Sequence, residues 1–208
     1  MVVPAGPCRP PGRAAPSLVK GLGRWLGWKE SIPLAAVLQA PPTVAATACA
    51  SAAHAALQRE LQRVQAELAR LIADDSSTRS EDGWDFLPFR RHCFAMQQAM
   101  GAAITPLRAQ TRAAVARLSP AMAQLAALDA VMANLLAPRE QALLAQLPVL
   151  LDKHFTQLRD AAVPGGPPWL PRFDHDMRRL LHAELDLRLQ PVLGLLATLQ
   201  RAAETQIP

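Results

Sequence analysis

Residues 86–118 read FLPFRRHCFAMQQAMGAAITPLRAQTRAAVARL. Phe89, Cys93, Met96, Met100, Ile104, Leu107, Thr111, Val115 and Leu118 recur every three or four residues, the period that places side chains on one helical face. The same stretch carries five arginines and no acid. It predicts a long amphipathic helix with a kink or restart at Pro106, where the missing N–H interrupts the ladder. On an ideal helix Arg90, Arg91, Arg108 and Arg112 fall within an arc of about 100° beside the apolar stripe, and Arg117 points elsewhere.

Upstream, residues 74–85 (DDSSTRSEDGWD) form a polar, acidic loop that lets the chain reverse. Before it, Leu57, Leu61, Val64, Leu68 and Leu71 make a heptad seam of about two repeats on a helix from about Thr43 to Ala73. Arg63 and Glu67 at i, i+4 support that helix from outside. So short a seam reads as the core face of an antiparallel bundle rather than as a dimeric coiled coil. Downstream, Ser119-Pro120 gives an N-cap followed by proline at the first helical position. Apolar residues then follow at helical spacing to about Asp160, from Met122, Leu125, Leu128, Val131, Met132, Leu135 and Leu136 through Leu143 to Leu158, with Pro138 and Pro148 expected to break or bend the run. Residues 163–171 (VPGGPPWLP) read as a linker, and residues 172–204 as a C-terminal helix with Pro191 in its middle.

The N-terminal part is different in kind. Residues 1–16 hold five prolines and read as a disordered basic tail. Residues 17–42 suggest a short helical pair, the second member running from Ile32 to Gln39 with Ser31 as N-cap and Pro41-Pro42 as its stop. The pattern therefore predicts one all-α domain over 17–208. It is an elongated antiparallel helical bundle of about four long, proline-kinked helices plus a short N-terminal helical pair, with core helices over 43–162.

Composition agrees with that class. Of 208 residues, 50% are hydrophobic and 4% aromatic, and no Tyr is present, so Ala and Leu supply the apolar set. A net charge of +5 comes from 22 basic and 17 acidic residues. Cys8, Cys49 and Cys93 are odd in number and widely spaced, which suits a reducing compartment. The longest weakly apolar region, Leu34–Leu57, is mostly alanine and split by Pro41-Pro42, so no transmembrane segment or signal peptide is expected and the location is read as cytoplasmic.

The segment Phe89–Leu158 carries Phe89-Arg90-Arg91, Met96-Gln97-Gln98, Pro106-Leu107-Arg108, Ser119-Pro120, Leu128-Asp129-Ala130-Val131, Arg139-Glu140, Leu150-Leu151 and His154-Phe155. With Ala183–Pro191 near the end and Trp25-Leu26-Gly27-Trp28 near the start, it resembles an uncharacterised proteobacterial family classed as a domain of unknown function. The resemblance implies no activity or site. It does imply a partner class, because such genes neighbour those for proton-channel-like inner-membrane proteins and OmpA-like, wall-binding proteins.

Three constellations invite chemistry. Arg90, Arg91, Arg108 and Arg112 form a candidate interaction surface for phosphates, anionic lipid or an acidic protein. Pairing with acids of neighbouring helices, such as Asp129, Glu140, Glu184 and Asp186, is the favoured structural account. Asp174-His175-Asp176, with His182, Glu184, Asp186 and His154, offers metal-type donors but closes into no recognised box, so no metal is assigned. His92 and Cys93 are adjacent, hence about 100° apart on a helix and badly placed for a nucleophilic dyad. No Ser–His–Asp order and no glycine-rich phosphate loop occurs, so no enzyme activity and no cofactor are expected. The expectation is a non-enzymatic helical adaptor or scaffold working through protein partners or self-association. The alternative is a nucleic-acid- or anionic-surface-binding helical protein using the arginine stripe.

Overall fold

A computed structural model describes residues 27–39, 50–74, 85–162 and 168–205. The expected basic tail over 1–16 and the first member of the helical pair lie outside the described residues. Among the described residues there are six helices and no strand: α1 (Trp28–Gln39), α2 (Ala50–Ala73), α3 (Leu87–Ala116), α4 (Pro120–Leu144), α5 (Leu147–Asp160) and α6 (Trp169–Thr205). The protein is all-α, as its periodicity predicts. At 1.5 Å per residue α6 is about 55 Å long, so the bundle is elongated.

The helices α2, α3 and α6 pack against one another and hold most of the core. The α3 stripe forms as expected: Phe89, Cys93, Met96, Met100, Ile104, Leu107, Thr111 and Val115 are buried, and Leu118 is half-buried against them. His92 is buried beside them. From α6, Phe173, Met177, Leu181, Leu185, Leu189, Val192, Leu195, Leu196 and Leu199 face the same core. On α2 the buried positions are Ala50, Leu61, Val64, Leu68 and Ile72, whereas Leu57 and Leu71 are half-buried. The 3.5-residue seam therefore drifts on a straight helix, and Ile72 replaces Leu71 at its end.

Cross-helix contacts set the directions. Phe89 meets Phe173, and farther along Gln97 meets Glu184, so α3 and α6 run parallel. Asp129 lies against Arg108 and Arg112, and Leu144 against Gln97, so α4 runs back along α3. α3 and α4, which follow each other in the chain, are thus antiparallel. α1 packs on α4, where the Gln124 amide donates to the Leu38 carbonyl at 2.8 Å.

Prolines do not act uniformly. α3 runs unbroken through Pro106, α4 through Pro138 and α6 through Pro191. In each case the carbonyl left without its partner belongs to an exposed residue, Ala102, Asn134 or Leu187, where water can satisfy it. Pro148 is different. It strands the carbonyl of Leu144, which is buried, and there the helix breaks, at Ala145-Gln146. The expected restart at Pro106 does not occur, and neither does a break at Pro138.

The remaining boundaries shift in smaller ways. α1 starts at Trp28, ahead of the expected Ser31 cap, and α6 starts at Trp169, inside the stretch read as a linker. Ser119 caps α4 as expected, its Oγ accepting from the Met122 N–H at 3.2 Å. Arg63 does not take Glu67. It pairs with Glu60 at 2.6 Å, and Glu67 pairs with Arg70 at 2.8 Å.

Candidate interaction surface

The four stripe arginines divide into two pairs. Arg108 and Arg112 turn onto Asp129 of α4. The Arg108 guanidinium donates to both carboxylate oxygens, at 3.1 Å and 2.5 Å, and Arg112 Nε donates to Oδ2 at 2.9 Å. All three side chains are largely covered, between 17% and 24% exposed. Burial alone would raise the Asp129 carboxyl, but hydrogen bonds from Arg108 and Arg112, with their charges, hold it below the usual carboxylate range. These two arginines are structural, fastening α4 to α3.

Arg90 and Arg91 are exposed, and no side-chain ion pair reaches them from the described residues. Neither Glu140 nor Asp186 serves any stripe arginine; both are exposed. With Leu87, Phe94, Ala95 and Gln98 these arginines line an open depression of about 410 Å³. No acid lies in the first turn of α3, so two cations near a helix start contribute nothing favourable to its dipole.

A second polar knot sits inside. The Gln97 amide donates to the stranded Leu144 carbonyl and to Glu184 Oε2, each at 3.1 Å. Glu184, 3% exposed, also accepts from Arg188 one turn along at 2.9 Å. Gln97 therefore repairs the damage done by Pro148 and ties α3, α4 and α6 at one level. The sequence reading missed this role. Its signal is a proline whose partner carbonyl, four residues back, falls on a buried leucine.

The histidine and acid set does not converge. Among the described residues no group of three or more His, Cys, Asp or Glu is placed to hold a metal ion. His154 meets Asp176 at 3.0 Å, a tie between α5 and α6, while His175, His182 and Asp186 are exposed. Asp174 pairs with Arg178 at 2.9 Å, and burial raises its carboxyl. Burial also lowers His92 and pushes the Cys93 thiol up to about 12, helped by the Glu184 charge. A thiol so placed is protonated at neutral pH and a poor nucleophile.

α4 is the element the periodicity misjudges. Of its 25 residues Ala126 and Leu144 are buried, Leu125, Leu143 and four alanines (Ala121, Ala127, Ala137 and Ala142) are exposed, and the remaining aliphatic and methionine side chains are half-covered. A helix apolar all round is ordinarily buried. Val149 and Leu150 at the start of α5 continue the exposed apolar surface past the break. Pro120–Asp160 is long and apolar enough to cross a membrane by length and composition, which the sequence reading, with its eye on Leu34–Leu57, passes over. Here the run packs on α1 and α3 and carries Asp129, Arg139 and Glu140, so length and composition alone assign it to no membrane.

A family model described as "Protein of unknown function (DUF3348)" matches residues 10–201. The chain belongs to that family. The match spans the arginine stripe, the Gln97 knot and the apolar α4–α5 run, so the family resemblance expected from those segments holds at this level. No curated protein and no solved structure matches the chain.

Proposed function

We propose that this protein is a bacterial, cytoplasmic, non-enzymatic helical adaptor or scaffold that works through protein contacts. The observation that carries the reading is the surface along α4 and the start of α5, where Leu125, Leu143, Val149 and Leu150 are exposed and few residues are buried. Exposed apolar patches of this kind mark interaction sites on folded proteins. Two covered carboxylates support the same reading because they fasten helices: Asp129 holds α4 to α3, and Glu184 holds α6 to Gln97 of α3. Cys93 is a packed, protonated thiol rather than a nucleophile. Partners on an inner-membrane proton-channel-like or OmpA-like system, which the family resemblance implies, belong to this reading. Binding of nucleic acid or an anionic surface through the stripe is the weaker alternative, since Asp129 occupies two of its four arginines.

The test is site-specific photo-crosslinking in cells at native expression. A photoreactive side chain at Leu143 or Val149 is expected to give discrete protein adducts, and one at Arg63 on the outer face of α2 is expected to give none. Absence of adducts at all three positions, together with a monomeric mass by light scattering, would sink the reading.

A further inference from the structure

Leu87, Arg90, Arg91 and Phe94 form a diamond on the outer face of α3. The two arginines are neighbours, Leu87 lies one turn before both, and Phe94 one turn after both. Phe94 is 49% exposed and Leu87 42% exposed, and Gln98 continues the strip by one further turn. No carboxylate of the described residues meets either guanidinium, in contrast to Arg108 and Arg112 on the same helix.

We propose that this shelf docks an acidic amphipathic helix of a protein partner, two adjacent carboxylates on Arg90 and Arg91 and an apolar side chain one turn to each side, against Leu87 and Phe94. The matching pattern is apolar-x-x-acid-acid-x-x-apolar, which is the same diamond with its charges reversed. The proposal rests on the protein-contact reading above and names the partner chemistry at a different face. Guanidinium and carboxylate match as planar, bidentate groups, and an aromatic beside them supplies apolar burial that a phosphate ladder does not use. A polybasic membrane patch uses roughly four to eight cations, and two arginines fall short of that. Two phosphate contacts would likewise hold nucleic acid only loosely.

The experiment uses the full chain and a fluorescent peptide with repeating Leu-Ala-Ala-Glu-Glu-Ala-Ala-Leu, read by anisotropy across a salt series. The wild-type protein is expected to bind with an affinity that falls as salt rises. R90E/R91E is expected to lose about a hundredfold, at about tenfold per charged contact. The same variant is expected to bind the peptide with Lys in place of Glu. Phe94→Ala is expected to weaken binding about tenfold while leaving the salt dependence unchanged. Because these side chains are exposed, the variants should keep the wild-type far-UV circular dichroism; R90Q/R91Q repeats the test with a milder change. Equal binding by wild type and R90E/R91E would overturn the proposal, as would no binding by wild type. So would tighter binding of phosphatidylserine vesicles or of a single-stranded oligonucleotide than of the peptide. If the shelf fails while adducts still form at Leu143, the adaptor reading stands without it.

Discussion

Replacing Asp129 should loosen α4 from the bundle in a way that both calorimetry and pH can follow. Asp129 accepts from Arg108 at 3.1 Å and 2.5 Å and from Arg112 at 2.9 Å, with side-chain exposures of 17%, 21% and 24% respectively. A fully exposed pair would contribute about 0–1 kcal/mol, and breaking a fully buried one would cost about 3–5 kcal/mol. These side chains lie between the two limits, so Asp129→Ala is expected to cost about 2 kcal/mol, most of it from two guanidiniums left facing each other. In a chain of this size that lowers Tm by roughly 4–8 °C. The pH dependence has a definite sign. The folded-state carboxyl lies below its unfolded value, so its contribution is complete above the unfolded pKa of about 4 and disappears as pH falls through the lower folded value. Urea melts of wild type and Asp129→Asn should therefore differ by a constant amount from about pH 5 to pH 8 and converge below about pH 4. Amide exchange should accelerate in α4 and hardly at all in α2. A variant as stable as wild type, with unchanged exchange in α4, would refute the clamp.

Other consequences are simpler. Gly101 and Gly194 lie inside α3 and α6 with open space where a Cβ would go, so alanine at either is expected to add about 0.5–1 kcal/mol to the urea-melt stability. Phe155, 1% exposed, meets Phe86, Phe89, Phe173 and Trp169 at centroid distances of 5.0–5.7 Å; Phe155→Ala should cost about 3–5 kcal/mol, and a loss below about 1 kcal/mol would contradict the packing. In a C8S/C49S background Cys93 should resist a thiol reagent at pH 8 until urea unfolds the chain, since burial keeps its thiol protonated with a pKa pushed up to about 12; rapid native-state reaction would show the α3 stripe to be open.

How much of this was legible in the sequence depends on whether an element has a phase. The α3 stripe has one, and its buried positions follow from spacing alone. Even its proline is readable, because Ala102, four residues before Pro106, falls off the stripe and into water. α4 has no phase: it is apolar on every side, so spacing cannot say that Ala126 goes in while Leu125 stays out, or which proline breaks it. The choice of Glu60 over Glu67 by Arg63 is a matter of side-chain rotamers, and no spacing rule decides between i−3 and i+4 neighbours.

The fate of the arginines, by contrast, follows from the turn. α3 and α4 meet at Leu118-Ser119 and run antiparallel, so near the turn residues at similar distances from it face each other. Arg108 lies ten residues before Leu118 and Asp129 ten after Ser119, and they meet. Farther from the turn the register slips, since Gln97, 21 residues before Leu118, meets Leu144, 25 after Ser119; Arg90 and Arg91 lie beyond that contact, where α4 has ended and no carboxylate of the described residues pairs with them. The stripe is thus divided: Arg108 and Arg112 are consumed in closing the fold on Asp129, and Arg90 and Arg91 remain charged beside the exposed Phe94. That division is why the acidic partner is sought at Arg90 and Arg91 and not along the whole helix.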